Sequence, residues 1–134
     1  MLHTISYVST SKELSDFQIN ELLYTTKLKN EDLGITGILM YSDYNFFQII
    51  EGEKKVIQYL YQKIKRDIRH FNLIKILDRS INIPSFTSFQ STYTIINREK
   101  DYPDLQQFLE VGKVYNPKNF QNISYLVNKF MKLA

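Results

Sequence analysis

The chain contains neither cysteine nor tryptophan. Without cysteine it cannot form disulfides, thiolate metal sites or covalent intermediates at a thiol. It also has only two histidines, His3 and His70, which lie far apart in the sequence. No metal site of the usual histidine-rich kind is therefore expected.

Long apolar runs are also missing, and the N-terminus lacks the charged start and apolar stretch of a secretory signal. The sequence therefore predicts a cytoplasmic protein without a membrane partner. The net charge is only +3, and the basic residues are dispersed along the chain. This pattern does not support a nucleic-acid partner.

The 134 residues fit one domain, because two separate domains would need a longer chain. Hydrophobic residues make up 43% of the sequence and charged residues 23%, as is typical of globular proteins. We expect one folded unit with one functional site.

Hydrophobic spacing predicts alternating strands and helices in the first 70 residues. A β-branched and aromatic run from Ile5 to Val8 predicts a strand, and Ser15 with Gln18 has the spacing of a helix capping box. A polar connection at 30–34 follows this helix and leads to a hairpin of two strands, about 37–41 and 46–50, around the turn Ser42-Asp43-Tyr44-Asn45. A second helix comes next and ends near Arg69 and His70. Its apolar residues at helical spacing are Val56, Ile57, Leu60, Tyr61 and Ile64.

Two more predicted strands, about 73–78 and 89–95, complete the order βαββαβ with a fifth strand. This is a ferredoxin-like α+β fold, whose two helices cover one sheet face. Residues 1–97 would form this domain, and residues 98–134 a C-terminal helical extension of it that covers the other face. Pro103 and Pro117 are expected to mark the starts of a short and a longer helix.

Two polar side chains fall on predicted strands beside apolar neighbours. Tyr7 follows Ile5 by two positions and Gln48 follows Phe46 by two, so each shares a sheet face with an apolar residue. An unpaired buried phenol or amide costs on the order of 1–3 kcal/mol. The two groups could satisfy this requirement by bonding to each other.

Several segments resemble the BLUF family of blue-light sensors that use flavin. They occur in the family's order over roughly residues 2 to 95, and spaced motifs in order are more specific than any one motif. The segments are Ile5-Ser6-Tyr7-Val8-Ser9, Asn30-Glu31-Asp32-Leu33-Gly34-Ile35-Thr36-Gly37, Tyr41-Ser42-Asp43, Phe46-Phe47-Gln48-Ile49-Ile50-Glu51-Gly52 and Asp67-Ile68-Arg69-His70.

The resemblance implies a non-covalently bound flavin between the two helices, most often FAD, with FMN or riboflavin as alternatives. Tyr7 would then be the light-driven electron and proton donor. Gln48 would join the Tyr7 hydroxyl to flavin N5 and O4, and its rearrangement would be the switch. The remaining cofactor-binding residues implied are Asn30, Lys29, Asp67, Arg69 and His70.

The resemblance also implies a sensor that catalyses no reaction of its own. We expect it to signal to a separate downstream protein or through a homo-oligomer. The fifth strand is expected to respond to the rearrangement of Gln48 and to pass the signal on. At the places where the family commonly has Trp and Met, this sequence has Phe89 and Ser91, and these are the candidate relay residues.

Taken without the motifs, the same residues support other interpretations. Tyr7 alone is typical of a core tyrosine, and Gln48 could occupy an edge or solvent position. The alternative function is a cofactor-free ferredoxin-like module that binds RNA or protein through an open sheet face. An acylphosphatase-like hydrolase would need a phosphate-binding loop, and the sequence has no Gly-rich motif of that kind.

Overall fold

The computed structural model describes residues 1–87, 89 and 93–133, with the side chains of residues 98, 132 and 133 left out of the description. Strands and helices alternate in the first half, and two helices follow the last strand. The elements are β1 (Leu2–Ser11), α1 (Asp16–Asp32), β2 (Thr36–Ser42), β3 (Asn45–Glu53), α2 (Lys54–Arg66), β4 (His70–Ile81), β5 (Thr94–Ile96), α3 (Arg98–Tyr115) and α4 (Pro117–Leu133).

The five strands form one mixed sheet in the order β4-β1-β3-β2-β5. β1 pairs antiparallel with both β3 and β4, and β2 pairs antiparallel with β3 and parallel with β5. This is the predicted ferredoxin-like arrangement with an added strand. The central β1–β3 pair carries the two polar residues singled out above.

Helices α1 and α2 cover one face of the sheet through apolar residues at helical spacing. Ile19, Ile57 and Tyr61 are buried against strand residues such as Ile5 and Ile50. We call this cluster the helix-pair core. Because side chains alternate along a strand, Tyr7 also faces this core.

The opposite face is covered by α3 and α4, as predicted. Phe47 and Ile49 of β3 lie in one buried cluster with Leu105, Leu109 and Val127 of these helices. We call this cluster the tail core. Since it covers the central strands, that face does not offer the open aromatic surface that an RNA-binding sheet needs.

The start of α1 and the hairpin turn follow the predictions. Gln18 N donates to the Ser15 side chain at 3.2 Å, and Ser15 N donates to the Gln18 side chain, which completes the capping box. Asp43 and Tyr44 at the centre of the turn have φ values of 52° and 65°, the left-handed region that a tight two-residue hairpin needs.

Several boundaries differ from the predictions. Helix α1 continues to Asp32, so Asn30 is helical and buried rather than part of a polar connection. Helix α2 ends at Arg66, and His70 begins β4 instead of closing the helix. In both places, tertiary burial and strand pairing outweigh the local polarity from which the ends were predicted.

Pro103 does not begin α3, whereas Pro117 does begin α4. The Asn97 side chain accepts hydrogen bonds from Glu99 N and Lys100 N, and this cap sets the start of α3 five residues earlier than Pro103. Pro103 is therefore accommodated inside an 18-residue helix that was expected to be short. Predicted strand 89–95 is observed as Thr94–Ile96, and residues 90–92 lie outside the described part of the chain.

Candidate functional site

A cleft of about 640 Å³ opens between α1 and α2 on the helix-pair side of the sheet. Its volume lies in the range of sites for small molecules and cofactors. Strand residues Tyr7, Leu39, Phe46 and Gln48 contribute to its lining. The rest of the lining comes from α1 (Leu22, Thr25, Thr26, Lys29, Asn30, Asp32), from Leu33, from α2 (Lys55, Val56, Tyr59, Leu60, Lys63, Ile64) and from Asp67, Arg69 and His70.

Tyr7 and Gln48 meet at the cleft. They are direct partners in the β1–β3 register, which places their side chains on the same face. The Tyr7 hydroxyl donates a hydrogen bond to Gln48 Oε1 at 3.2 Å, and both residues are buried. The predicted bond between phenol and amide is therefore present.

The environment of Tyr7 disfavours the phenolate even more strongly than water does. Burial, the negative charge of Asp67 and the neighbouring Tyr61 all raise the Tyr7 pKa well above its ordinary value. A neutral phenol can donate to an amide oxygen, whereas a phenolate cannot. The site thus holds a proton on Tyr7 at neutral pH.

His70 is fixed in orientation beside Tyr7. Its Nε2 lies 2.7 Å from the carbonyl oxygen of Ile64, to which it must donate, and its Nδ1 lies 2.7 Å from Ser9 Oγ. The imidazole ring meets Tyr7 edge-on, with centroids 6.2 Å apart. His70 therefore ties the end of α2 to β1 and forms part of the cleft wall.

Asp67 and Arg69 form a bidentate ion pair in the lining of the cleft. Arg69 Nε and Nη2 donate to Asp67 Oδ1 and Oδ2 at 3.0 and 2.6 Å. The hydrogen bonds from Arg69 lower the Asp67 pKa, so the carboxylate stays charged. Lys29, by contrast, lines the cleft from an exposed position.

Asn30 supplies a polar group without a partner. It is 2% exposed, and among the described residues its side-chain Nδ2 has no hydrogen-bond acceptor. A buried amide of this kind needs an acceptor, and the pyrimidine edge of a flavin carries carbonyl oxygens. The free amide and the open cleft therefore fit a flavin ring, with Asn30, Tyr7 and Gln48 as its polar neighbours.

Of the two candidate relay residues, Phe89 is described, and it is not among the residues that line the cleft. Phe89 packs against the tail core, where its ring centroid lies 5.1 Å from that of Phe108. Ser91 lies outside the described residues. Their role in signalling stays a prediction.

Sequence reasoning missed Tyr93, which is fully buried in the helix-pair core just before β5. A usable signal was present, because Tyr93 and Ile95 are two residues apart and alternation puts them on one face. The sequence placed Glu51 only in a motif at the end of a predicted strand, whereas in the structure its buried carboxylate accepts from Thr36 Oγ1, Ser85 N and Phe86 N.

Comparison with known families gives one match that covers most of the chain. The family model described as "Sensors of blue-light using FAD" matches residues 2–92. Among curated proteins, the blue light- and temperature-regulated antirepressor BluF of Escherichia coli is 31% identical over 78 residues. The photoactivated adenylate cyclase subunit beta of Euglena longa is 36% identical over 72 residues.

These curated relatives are much longer proteins. The matches cover 58% and 52% of this chain, but only 19% of the E. coli protein and 8% of the cyclase subunit. The similarity therefore concerns only a small part of each relative.

Solved structures extend the likeness to nearly the whole chain. BlsA in its photo-activated state has a TM-score of 0.66 and 30% identity, with 98% of this chain and 95% of that chain covered. Klebsiella pneumoniae BlrP1 with FMN and cyclic diGMP has a TM-score of 0.76 and 25% identity, with 98% and 35% covered.

Proposed function

The chain belongs to the BLUF family of flavin-binding blue-light sensors, and on this basis we propose that Tyr7 and Gln48 form its light-responsive pair. The supporting observation is the 3.2 Å hydrogen bond from the Tyr7 hydroxyl to Gln48 Oε1 beside an open cleft. Both residues are buried beside the apolar helix-pair core, where a polar group is costly unless it is paired.

Tyr7 holds the proton that light sets in motion. When bound, the flavin supplies blue-light absorption and an excited state that oxidises a nearby phenol. The Tyr7 hydroxyl is neutral in the dark, as its raised pKa further ensures, and its proton lies on the side that faces Gln48.

After illumination, the hydrogen bonds of the Gln48 carboxamide are rearranged. Its carboxamide carries an acceptor and a donor on one planar group, and in the described state Oε1 accepts from Tyr7. Rotation or tautomerisation of the amide reverses what it presents, so that the Tyr7 hydroxyl accepts instead of donating. Two stable bonding patterns of buried groups make a switch that needs no covalent adduct and no cysteine.

The remaining residues of the site position the cofactor. Asn30 offers its free amide to the edge of the ring, and His70 holds the wall beside Tyr7. The Asp67–Arg69 pair stiffens the segment after α2, while Lys29 adds a positive charge at the rim that suits a flavin phosphate.

An absorption spectrum before and after blue illumination tests this function. We expect a yellow protein whose flavin band moves reversibly to longer wavelength. Tyr7→Phe and Gln48→Leu should keep the flavin, because ring and side-chain volume remain, but should lose the normal shift. Tyr102→Phe is the matched control, since Tyr102 bonds to Asn128 in the tail, away from the cleft.

A full, reversible shift in either Tyr7→Phe or Gln48→Leu would show that the roles are assigned wrongly. A purified protein that takes up no added flavin would contradict the function itself.

The light state must finally change a contact with another molecule. BLUF domains signal to output domains or partner proteins, as the names of the cyclase and antirepressor relatives illustrate. We infer that this chain catalyses no reaction itself and acts on a separate protein or a second copy of itself. None of its described helices combines the length and apolarity needed to cross a membrane.

A further inference from the structure

The opening of the cleft is bordered by three exposed side chains of α2. Lys55, Tyr59 and Lys63 all line the cleft, and because they are exposed they stand where it meets solvent. Spacings of four residues place them on one side of the helix, with about 12 Å along the axis between the two lysines. We call these three residues the mouth row.

The lysines of the mouth row have no counter-charge from the protein. Among the residues that the structure describes, neither Lys55 nor Lys63 has a carboxylate within ion-pair distance, and the same holds for Lys29 on α1. Of the carboxylates that line the cleft, Asp67 is already paired with Arg69. The opening of the cleft is therefore positively charged and suits an anionic group.

Tyr59 places an aromatic ring between the two cations. Its side chain is 65% exposed, and Lys63 Nζ lies 4.9 Å from the ring centroid. This cation–π contact holds the ring in position, while its exposed surface can stack on another planar group. Aromatic rings that stack on bases and cations that neutralise phosphates are the two contacts by which proteins commonly bind nucleotides.

The flavins differ only in the part that would reach this opening. Riboflavin, FMN and FAD have the same ring, and FMN adds a phosphate to the ribityl chain. FAD continues through a diphosphate to adenosine. The buried polar groups of Asn30, Tyr7 and Gln48 can contact only what all three flavins share. Selection among them must come from residues nearer to solvent.

We propose that the mouth row binds the diphosphate and the adenosine of FAD, and that this chain thereby selects FAD over FMN and riboflavin. Tyr59 stacks on the adenine, and Lys55 and Lys63 neutralise the diphosphate. The three residues determine cofactor specificity and take no part in the photochemistry. This inference rests on the function proposed above, because it needs the flavin ring to occupy the cleft.

Fluorescence titration of the flavin-free protein with each of the three flavins tests the role of Tyr59. Wild type should bind FAD about tenfold more tightly than FMN, and Tyr59→Ala should abolish this preference, as expected for the loss of one stacked base. Tyr59→Phe should keep the preference, because its ring still stacks. Tyr24→Ala removes an equally exposed tyrosine from α1, outside the cleft lining, and should keep it as well.

The same titration tests the two lysines. The double variant Lys55→Gln/Lys63→Gln should weaken FAD and FMN by about fivefold each relative to riboflavin, which has no phosphate. Lys65→Gln removes one exposed charge from the same helix, outside the cleft lining, and should leave the order of the three affinities unchanged. Added salt should weaken FAD but not riboflavin, because it screens the charged contacts alone.

The outcomes separate this inference from the proposed function. If wild type binds the three flavins with equal affinity, or if Tyr59→Ala weakens all three alike, the mouth row does not select FAD, although the flavin site itself stands. If wild type binds none of the three, the proposed function is wrong, and the inference with it. A loss confined to FAD in Tyr59→Ala, and to FAD and FMN in the double lysine variant, supports the inference.

Discussion

At the scale of single residues, the site depends on buried polar groups that are only partly satisfied by the protein. Tyr7 and Gln48 satisfy each other, whereas Asn30 Nδ2 and the Tyr93 hydroxyl have no partner of ordinary geometry among the described residues. Buried polar groups without hydrogen-bond partners lower the stability of the folded protein. Tyr7, Gln48 and Asn30 all line the same cleft, which supports a binding site there rather than a packing defect.

The free amide of Asn30 leads to a prediction about flavin affinity. Asn30→Ala should weaken binding by about fivefold, because one ordinary hydrogen bond to the ring is lost. Fluorescence titration of the flavin-free protein with riboflavin, FMN and FAD measures this. The control is Asn45→Ala, whose amide bonds to Asp43 O in the hairpin outside the cleft. Equal affinities for Asn30→Ala and wild type would remove Asn30 from the binding site.

At the scale of elements, Glu51 joins β3 to the segment that leads towards β5. Its carboxylate accepts from Ser85 N at 2.8 Å, from Phe86 N at 2.7 Å and from Thr36 Oγ1 at 3.1 Å. It is 1% exposed and faces the side of the sheet covered by the tail. Glu51 thereby connects β3, which carries Gln48, to the segment that precedes β5.

Burial of Glu51 leads to a prediction about pH. Burial raises the Glu51 pKa, although the hydrogen bonds from Phe86, Ser85 and Thr36 counteract this. The folded state thus binds this proton more tightly than the unfolded state, so the contribution to stability is present below the ordinary pKa of about 4.3 and is lost as pH rises through the raised value.

Denaturant unfolding from pH 4 to pH 7 tests this prediction. The free energy of unfolding of wild type, relative to Glu51→Gln, should fall as pH rises. Glu53→Gln changes an exposed carboxylate two residues away and serves as the control. A wild-type protein that gains stability relative to Glu51→Gln over this range would contradict the assignment.

At the scale of the whole molecule, helices cover both faces of the sheet, but they pack on the two faces in different ways. The helix-pair core leaves a cleft between α1 and α2, whereas the tail core packs α3 and α4 closely on β2 and β3. We propose that residues 1–97 and 98–134 form one domain, because the tail core contains side chains from both.

Loss of a buried tail side chain should therefore destabilise the sheet as well. Leu109 is 0% exposed, and Leu109→Ala should lower the free energy of unfolding by about 2–5 kcal/mol through lost burial and a cavity. Val114→Ala on the same helix, where the side chain is 76% exposed, should change it by about 0.5 kcal/mol or less.

Circular dichroism and flavin absorption, followed together in denaturant, measure these changes. We expect the two signals to move to lower denaturant in one coincident transition for Leu109→Ala. A tail that unfolds separately while the flavin site keeps its wild-type midpoint would show two independent units.

The sequence alone determined the features that depend on local spacing. Alternation along β1 and β3 put Tyr7 and Gln48 on one face with Ile5 and Phe46, and the residues around Ser15 specified the start of α1. The spacing of apolar residues likewise predicted the helices that cover each face of the sheet, α1 and α2 on one face and α3 and α4 on the other. These features were predictable because each is set by residues only a few positions apart.

Only the tertiary structure decided which side chains meet. The β1–β3 register set Tyr7 opposite Gln48, burial extended α1 through Asn30, and the pairing of β5 with β2 brought Tyr93 into the helix-pair core. The physical reason is that register and burial are set by contacts between residues distant in the chain, whose energies exceed the local preferences that a sequence displays.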